Sequence, residues 1–344
     1  MRKSLALLLI DQKYKWIMVW GCFYASLHFS MAQTSSKSFT FIDHPSFAKL
    51  AALGGVNITA DGDPMMFTSN PALLDSSQMS LASFHYVNIP GDVNVATLGY
   101  NFSGKESGLF GFGLQYFNYG EFEGYDETGF PIGIFHANEF ALSLGYGNKQ
   151  GVFHYGSNLK IVGSVLESYS AYALVFDFGV NFVHPEMDLV LGVTAKNVGF
   201  TLSNYLEGQS LKIPTDIRLG GSYKPEHMPV RFHVACRNLL GESYFLVPSN
   251  FTSEKAGLAD KLFRKMVFGA EIFPHENFHL RLGYNHLVRK EYQVPDGGSA
   301  GGFSGGLSFR LKKFELSYSH VMHHIAGGTN QFGVSTNINE LRTF

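Results

Sequence analysis

The sequence has little cysteine. Of its two cysteines, Cys22 falls in an N-terminal leader, so Cys236 is left alone and no internal disulfide forms. An exported chain of 344 residues without disulfides draws its stability elsewhere. A closed, hydrogen-bonded barrel in lipid is one source. Charge is scarce too. Only 16% of residues are charged, against about 25% in typical soluble proteins. The formal net charge is −2, with no basic surplus that would point to nucleic acid. After the leader, no apolar run is long enough to cross a membrane as a helix.

What is present is aromatic and glycine-rich: 32 Phe, 17 Tyr and 38 Gly. Mean hydropathy is +0.01, the value expected when apolar and polar residues alternate. Residues 1–32 read as a secretory signal. Arg2, Lys3, Lys13 and Lys15 supply positive charge, 16–31 is mostly apolar, and Ser30-Met31-Ala32 precedes Gln33 as a small-x-small cleavage site. Bulky Trp20 argues against lipidation at Cys22. Residues 33–77 are not strand-like. AKLAALGG (48–55), Asp61-Gly62-Asp63-Pro64 and Asn70-Pro71-Ala72 are small and turn-forming, and predict a compact plug-like segment.

From 78 to 344 strand follows strand. In NFHLRLGYNHL (277–287), Phe278, Leu280, Leu282 and Tyr284 alternate with His279, Arg281, Gly283 and Asn285. Period two gives one oily face and one wet face. The same alternation predicts strands over 78–87, 92–103, 107–119, 135–147, 151–164, 169–183, 188–197, 214–224, 229–239, 265–274, 277–288, 299–311, 313–322 and 328–338. That is about fourteen strands, an even number near or above the length that crosses a tilted membrane wall. The expected fold is all-β: a transmembrane antiparallel β-barrel in the outer membrane of a Gram-negative bacterium.

Connections and charges agree. The long connections, 120–134, 198–213, 240–264 and 289–298, all fall in one alternate set, while every member of the other set is short. Barrels of this kind have short periplasmic turns and longer outer loops. Lys160, Asp177, Lys196, Arg218, Glu271 and Arg281 share parity with small or polar residues. A charge on the lipid face at the midplane costs about 2–4 kcal/mol, so these belong inside. His320 breaks the parity near a strand end, and strand 78–87 is ambiguous.

Motifs for chemistry are weak. Gly302-Phe303-Ser304-Gly305-Gly306 matches G-x-S-x-G, but it lies in an alternating strand rather than at a strand-to-helix elbow. His320, His323 and His324 lack a nearby carboxylate or cysteine to complete a metal site. No catalytic residue, metal or cofactor is expected.

The segments AKLAALGG and SNPALL, with GLQYFNYGEFEGYDETG (113–129), FALSLGYG (140–147), LGVTAKNVG (191–199), LRLGYNH (280–286) and HIAGGTNQFGVSTNI (324–338), carry a resemblance over nearly all of 40–338. Their order and spacing resemble the PorQ family of the type IX secretion system, within the FadL-like superfamily of outer-membrane barrels. The resemblance implies fourteen strands with an N-terminal plug and a non-enzymatic role. It implies a PorZ-like surface partner, together with PorU and PorV of the attachment complex that joins cargo to anionic lipopolysaccharide. Tyr125, Phe130, Phe135, Tyr244, Phe245 and Phe251 are the aromatic anchors expected at the outer loops. Two other readings stand beside it: a FadL-like transporter of a hydrophobic small molecule, and a surface enzyme using Ser304.

Overall fold

The computed structural model describes residues 38–104, 108–208, 210–240, 257–292, 301–324 and 327–342. The expected leader, 1–32, and the expected anchors Tyr244, Phe245 and Phe251 lie outside the described residues. Fourteen antiparallel strands close on themselves, β1 pairing with β14 from Leu81↔Asn337 to Asn88↔Asn330. They are β1 Leu81–Ile89, β2 Val93–Ser103, β3 Leu109–Tyr125, β4 Pro131–Gln150, β5 Phe153–Leu166, β6 Tyr169–Val183 and β7 Leu189–Ser203. The second half is β8 Asp216–Tyr223, β9 Val230–Cys236, β10 Met266–His275, β11 Phe278–Asn285, β12 Phe303–Leu311, β13 Phe314–His324 and β14 Gly327–Asn337.

Closure gives every strand two hydrogen-bonded neighbours around the wall, which lipid requires because it offers no hydrogen bonds to an open edge. Side chains sort by parity. Phe84, Tyr86, Leu98, Phe112, Leu144, Leu282 and Leu307 are exposed on the outside, while Lys160, Asp177, Lys196, Arg218, Glu271 and Arg281 are buried inside. The ambiguous first strand resolves the same way, with His85 inside and Phe84 and Tyr86 outside. A wall this oily is stable against acyl chains and not against water. His320 does face outward. There its Nδ1 meets Asn330 Oδ1 at 2.9 Å, and Tyr318 OH donates to the same oxygen at 2.9 Å. The imidazole is thus partnered near the end of β13.

Several boundaries differ from expectation. The span 120–134, expected as a loop, is mostly a β-hairpin formed by the ends of β3 and β4. Register shifts at Asn118/Glu121 and Gly124/Tyr125 break the alternation there, and only 126–130 turns. Asp126 Oδ1 holds that turn by accepting from the backbone N–H of Thr128 and Phe130, both at 2.9 Å. β7 runs on to Ser203 through a bulge, where Asn197 takes a left-handed φ of 56° and its N–H donates to Asp177 Oδ1 at 2.8 Å. β11 stops at Asn285, three residues short of expectation, because the Asn285 side chain caps a helix by accepting from the N–H of Val288. β12 starts at Phe303 rather than 299, and β9 ends at Cys236 rather than 239.

Residues 39–74 sit inside the barrel as short helical turns. They include α1 (Ala48–Ala52) and 3-10 turns at Thr40–Asp43, Pro64–Thr68 and Pro71–Leu73. Phe47, Met65, Met66 and Phe67 are fully buried among lumenal glycines and small residues. Two further helices, α2 (Leu258–Lys265) and α3 (His286–Glu291), lie between β9 and β12. The last, α4, is Ile338–Arg342. By the turn-length rule the short turns face the periplasm and the long connections the exterior.

Candidate binding cavity and outer hairpin

Segment 39–74 occupies the lumen, and ion pairs lock it to the wall. Lys49 Nζ lies 2.7 Å from Glu315 Oε1, His85 Nε2 lies 3.2 Å from Asp63 Oδ2, and Arg218 Nη2 lies 2.8 Å from Asp43 Oδ1. Lys196 Nζ donates to Thr68 O at 2.8 Å, and Asn70 Nδ2 donates to Asn181 Oδ1 at 2.7 Å. Wall-to-wall pairs fill the remainder: Lys160–Asp177 at 2.8 Å, and Glu271 between Arg281 (2.7 Å) and His233 (3.0 Å). Buried charge is costly unless paired, so each pair fixes one register of plug or strand. The closest approach uses glycine. A Cβ at Gly179 would overlap the Asn70 side chain, and one at Gly283 would overlap the backbone of Leu53 and Gly54.

Above this floor, at the outer end of the lumen, is a cavity of about 880 Å³. It lies in the size range of small-molecule sites. One wall is aromatic. Phe41 meets Phe117 edge-on with ring centroids 5.4 Å apart, and His44 meets the same ring at 5.5 Å. Ile89, Val93, Val321, Leu287 and Val288 continue the apolar lining. Charged side chains share the lining, among them Asp43, Asp216, Arg218, Arg237 and Lys265. Arg237 donates through Nη2 to Asn285 Oδ1 at 3.2 Å. Among the described residues no carboxylate lies within ion-pair distance of it. Glu291 of α3 also lines the cavity; burial raises its pKa, with Arg237 and Arg264 opposing. The arrangement suits a largely apolar molecule with one polar or anionic end.

The hairpin formed by β3 and β4 is the second feature. β3 pairs with β2 only as far as Asn118, and β4 with β5 only from Ala137. Beyond those points the two strands stand above the wall with free outer edges. Phe122 and Phe135 stack across it with centroids 5.2 Å apart and planes at 17°. Glu121, Glu123 and Ile134 occupy the opposite face by register. Phe130 and Ile132 are each 67% exposed at the tip. Three expected anchors, Tyr125, Phe130 and Phe135, therefore come together on one projecting element, with Tyr125 OH donating to Glu123 Oε2 at 2.5 Å.

Ser304 faces inward at the start of β12 and donates to Ala52 O at 3.0 Å, pinning α1 to β12. The Gly-rich motif around it is explained by that packing. Among the described residues no group of three or more His, Cys, Asp or Glu gathers to hold a metal. His323 Nε2 contacts Thr329 Oγ1 at 2.9 Å at the cavity edge. Sequence reasoning missed the cavity. Its walls come from strand ends and from plug residues such as Phe41 and His44, which share no local pattern.

No protein-family model matches the chain, and no curated protein matches it. Solved structures do. The P. putida toluene transporter TodX aligns at 11% identity over 86% of this chain and 99% of its own, with a TM-score of 0.50. The CymD monoaromatic hydrocarbon channel aligns at 11% identity over 87% of this chain and 97% of its own, also at 0.50. A Pseudomonas aeruginosa FadL homologue aligns at 10% identity, covering 88% and 99%, with a TM-score of 0.45. At these identities the likeness is one of fold, a closed antiparallel barrel of the outer-membrane kind.

Proposed function

We propose that this outer-membrane barrel takes a small, largely apolar molecule from the cell exterior into the cavity above its plug. The observation that carries the reading is the 880 Å³ cavity at the outer end of the lumen, aromatic on one side and bearing Arg237 on the other. TodX and CymD, similar in fold, are described as a toluene transporter and a monoaromatic hydrocarbon channel, which supports the same class of ligand. The protein's part is binding and orientation, without a chemical step. Titration of the purified barrel with an apolar fluorescent probe tests this. Saturable binding weakened at least tenfold by Val93→Trp with Val321→Trp is expected. Equal binding by the filled variant rejects the cavity as the site.

A second reading rests on the hairpin. Its exposed Tyr125, Phe130, Ile132 and Ile134, on free strand edges, favour a protein partner at the cell surface. In that reading the barrel anchors a PorZ-like component of the type IX attachment complex, alongside PorU and PorV, as the PorQ-like segments imply. Replacing 120–135 by a short turn should release the partner into the medium while the barrel still inserts. A partner retained by that variant rejects the hairpin as the anchor.

A further inference from the structure

We propose that a surface protein docks on the β3–β4 hairpin by adding a strand to the free edge of β3, and that the added segment alternates basic and apolar residues. Strand addition rests on the second reading above, in which the hairpin holds a protein partner. Two hydrogen bonds set the direction of the backbone groups. Glu167 N–H donates to His136 O at 3.1 Å, and Asp126 N–H donates to Phe130 O at 2.9 Å. Peptide groups along an antiparallel strand alternate between its two edges. His136 thus faces β5, while Phe135 and Gly133 face β3. Their partners Phe122 and Gly124 face β4, as Asp126 does. The N–H and C=O groups of Glu121 and Glu123 point the other way, beyond Asn118, where β3 leaves β2. Among the described residues they bond to no other backbone group.

The hairpin's two edges are unequal. The β4 edge starts at Pro131, which has no N–H, and the register passes from Gly124↔Gly133 to Tyr125↔Pro131, so the extra residue Ile132 sits on β4. Gly133 there has a φ of 129°. Proline and bulges are what blunt an edge against a further strand. The β3 edge has neither, and no residue from Glu121 to Tyr125 has a positive φ. Its side chains select the occupant. Glu121 and Glu123 share one face, and exposed Phe122 lies on the other. A strand added here places one residue opposite each glutamate, exchanges both N–H and C=O bonds with it, and sets the two side chains on the same face. A lysine or arginine at those places meets a carboxylate, and an apolar residue between them covers Phe122. Glu121 and Glu123 make no ion pair among the described residues, Glu123 accepting from Tyr125 OH alone. Asp126 and Glu127 extend the acidity to the tip, and 119–136 holds no Lys or Arg. A second copy of this chain would set acid against acid, so the charge favours a different, basic chain.

The test uses the full barrel in neutral detergent and a labelled peptide of alternating Lys and Val, followed by fluorescence anisotropy. Saturable binding is expected. N-methylation of every lysine amide should weaken it at least tenfold, whereas N-methylation of every valine amide should leave it unchanged, because the lysine amides face the edge. Glu123→Pro removes an N–H that bonds to nothing within the hairpin, and should weaken binding at least tenfold. Ile134→Pro, the matching change on the β4 edge, should not. Glu121→Gln with Glu123→Gln keeps the backbone intact and should weaken binding about fivefold while flattening its salt dependence. Equal binding of a peptide with Glu in place of Lys, equal loss with either N-methylated peptide, or a barrel dimer that Glu123→Pro dissociates overturns the proposal. If replacing 120–135 by a turn abolishes peptide binding but Glu123→Pro leaves it intact, strand addition falls and the hairpin reading stands.

Discussion

Two leucines separate a barrel in lipid from a β-fold in water. Leu282 is 54% exposed near the middle of β11, and Leu311 is 48% exposed at the periplasmic end of β12. In water these side chains are equivalent, and Leu→Arg at either position moves stability by no more than about 0.5 kcal/mol. In a bilayer they differ in depth. An arginine at Leu282 faces acyl chains near the midplane and costs about 2–4 kcal/mol, while one at Leu311 reaches the interface and costs about 0–1 kcal/mol. The difference shifts the folding equilibrium by roughly a hundredfold at Leu282 and hardly at all at Leu311. Both tryptophans, Trp16 and Trp20, lie within the expected leader, so far-ultraviolet circular dichroism is the better reporter. Urea titration of each variant in lipid vesicles gives the two values. Small and equal costs refute the outward-facing assignment.

Other perturbations probe the interior. Asp177→Ala strips Lys160 of its carboxylate and frees the Asn197 N–H, and should cost about 3–5 kcal/mol by urea unfolding. The paired change Asp177→Leu with Lys160→Met should cost markedly less, because no charge is stranded. Gly179→Val should push Asn70 off Asn181 and loosen the plug, read as faster proteolysis within 39–74 in an intact barrel. In α2, burial alone would raise the Asp260 pKa, but hydrogen bonds from Arg264 and His286 outweigh it and hold the pKa below 3.8. The stabilisation is therefore complete above that value and is lost as pH falls through the lower, folded one. Amide exchange in α2 should rise in acid, and Asp260→Asn should abolish that rise.

The strand centres were legible because lipid demands strict alternation. Leu280–Leu282–Tyr284 against Arg281–Gly283 leaves one arrangement that keeps the guanidinium dry and paired. The charged lumenal set was legible for the same reason. Strand ends were less so, since bulges there break the period. Asn197 in the left-handed region extends β7, and the shift at Asn118/Glu121 hid the β3–β4 hairpin inside an apparent loop. The small residues of 48–55 announced something compact, and Gly283 against Gly54 shows why they had to be small. The cavity left no trace in the sequence. Phe41, Phe117, Arg237 and Val321 are far apart along the chain, and only closure of the barrel brings them together.

Native mass spectrometry of the full chain, released in mild detergent from its own outer membrane, bears most directly on the cavity. The account predicts a species heavier than the bare chain by one small molecule, which disappears when Val93→Trp and Val321→Trp fill the space. A barrel of bare mass, or one carrying a small molecule that the filled variant still retains, contradicts it.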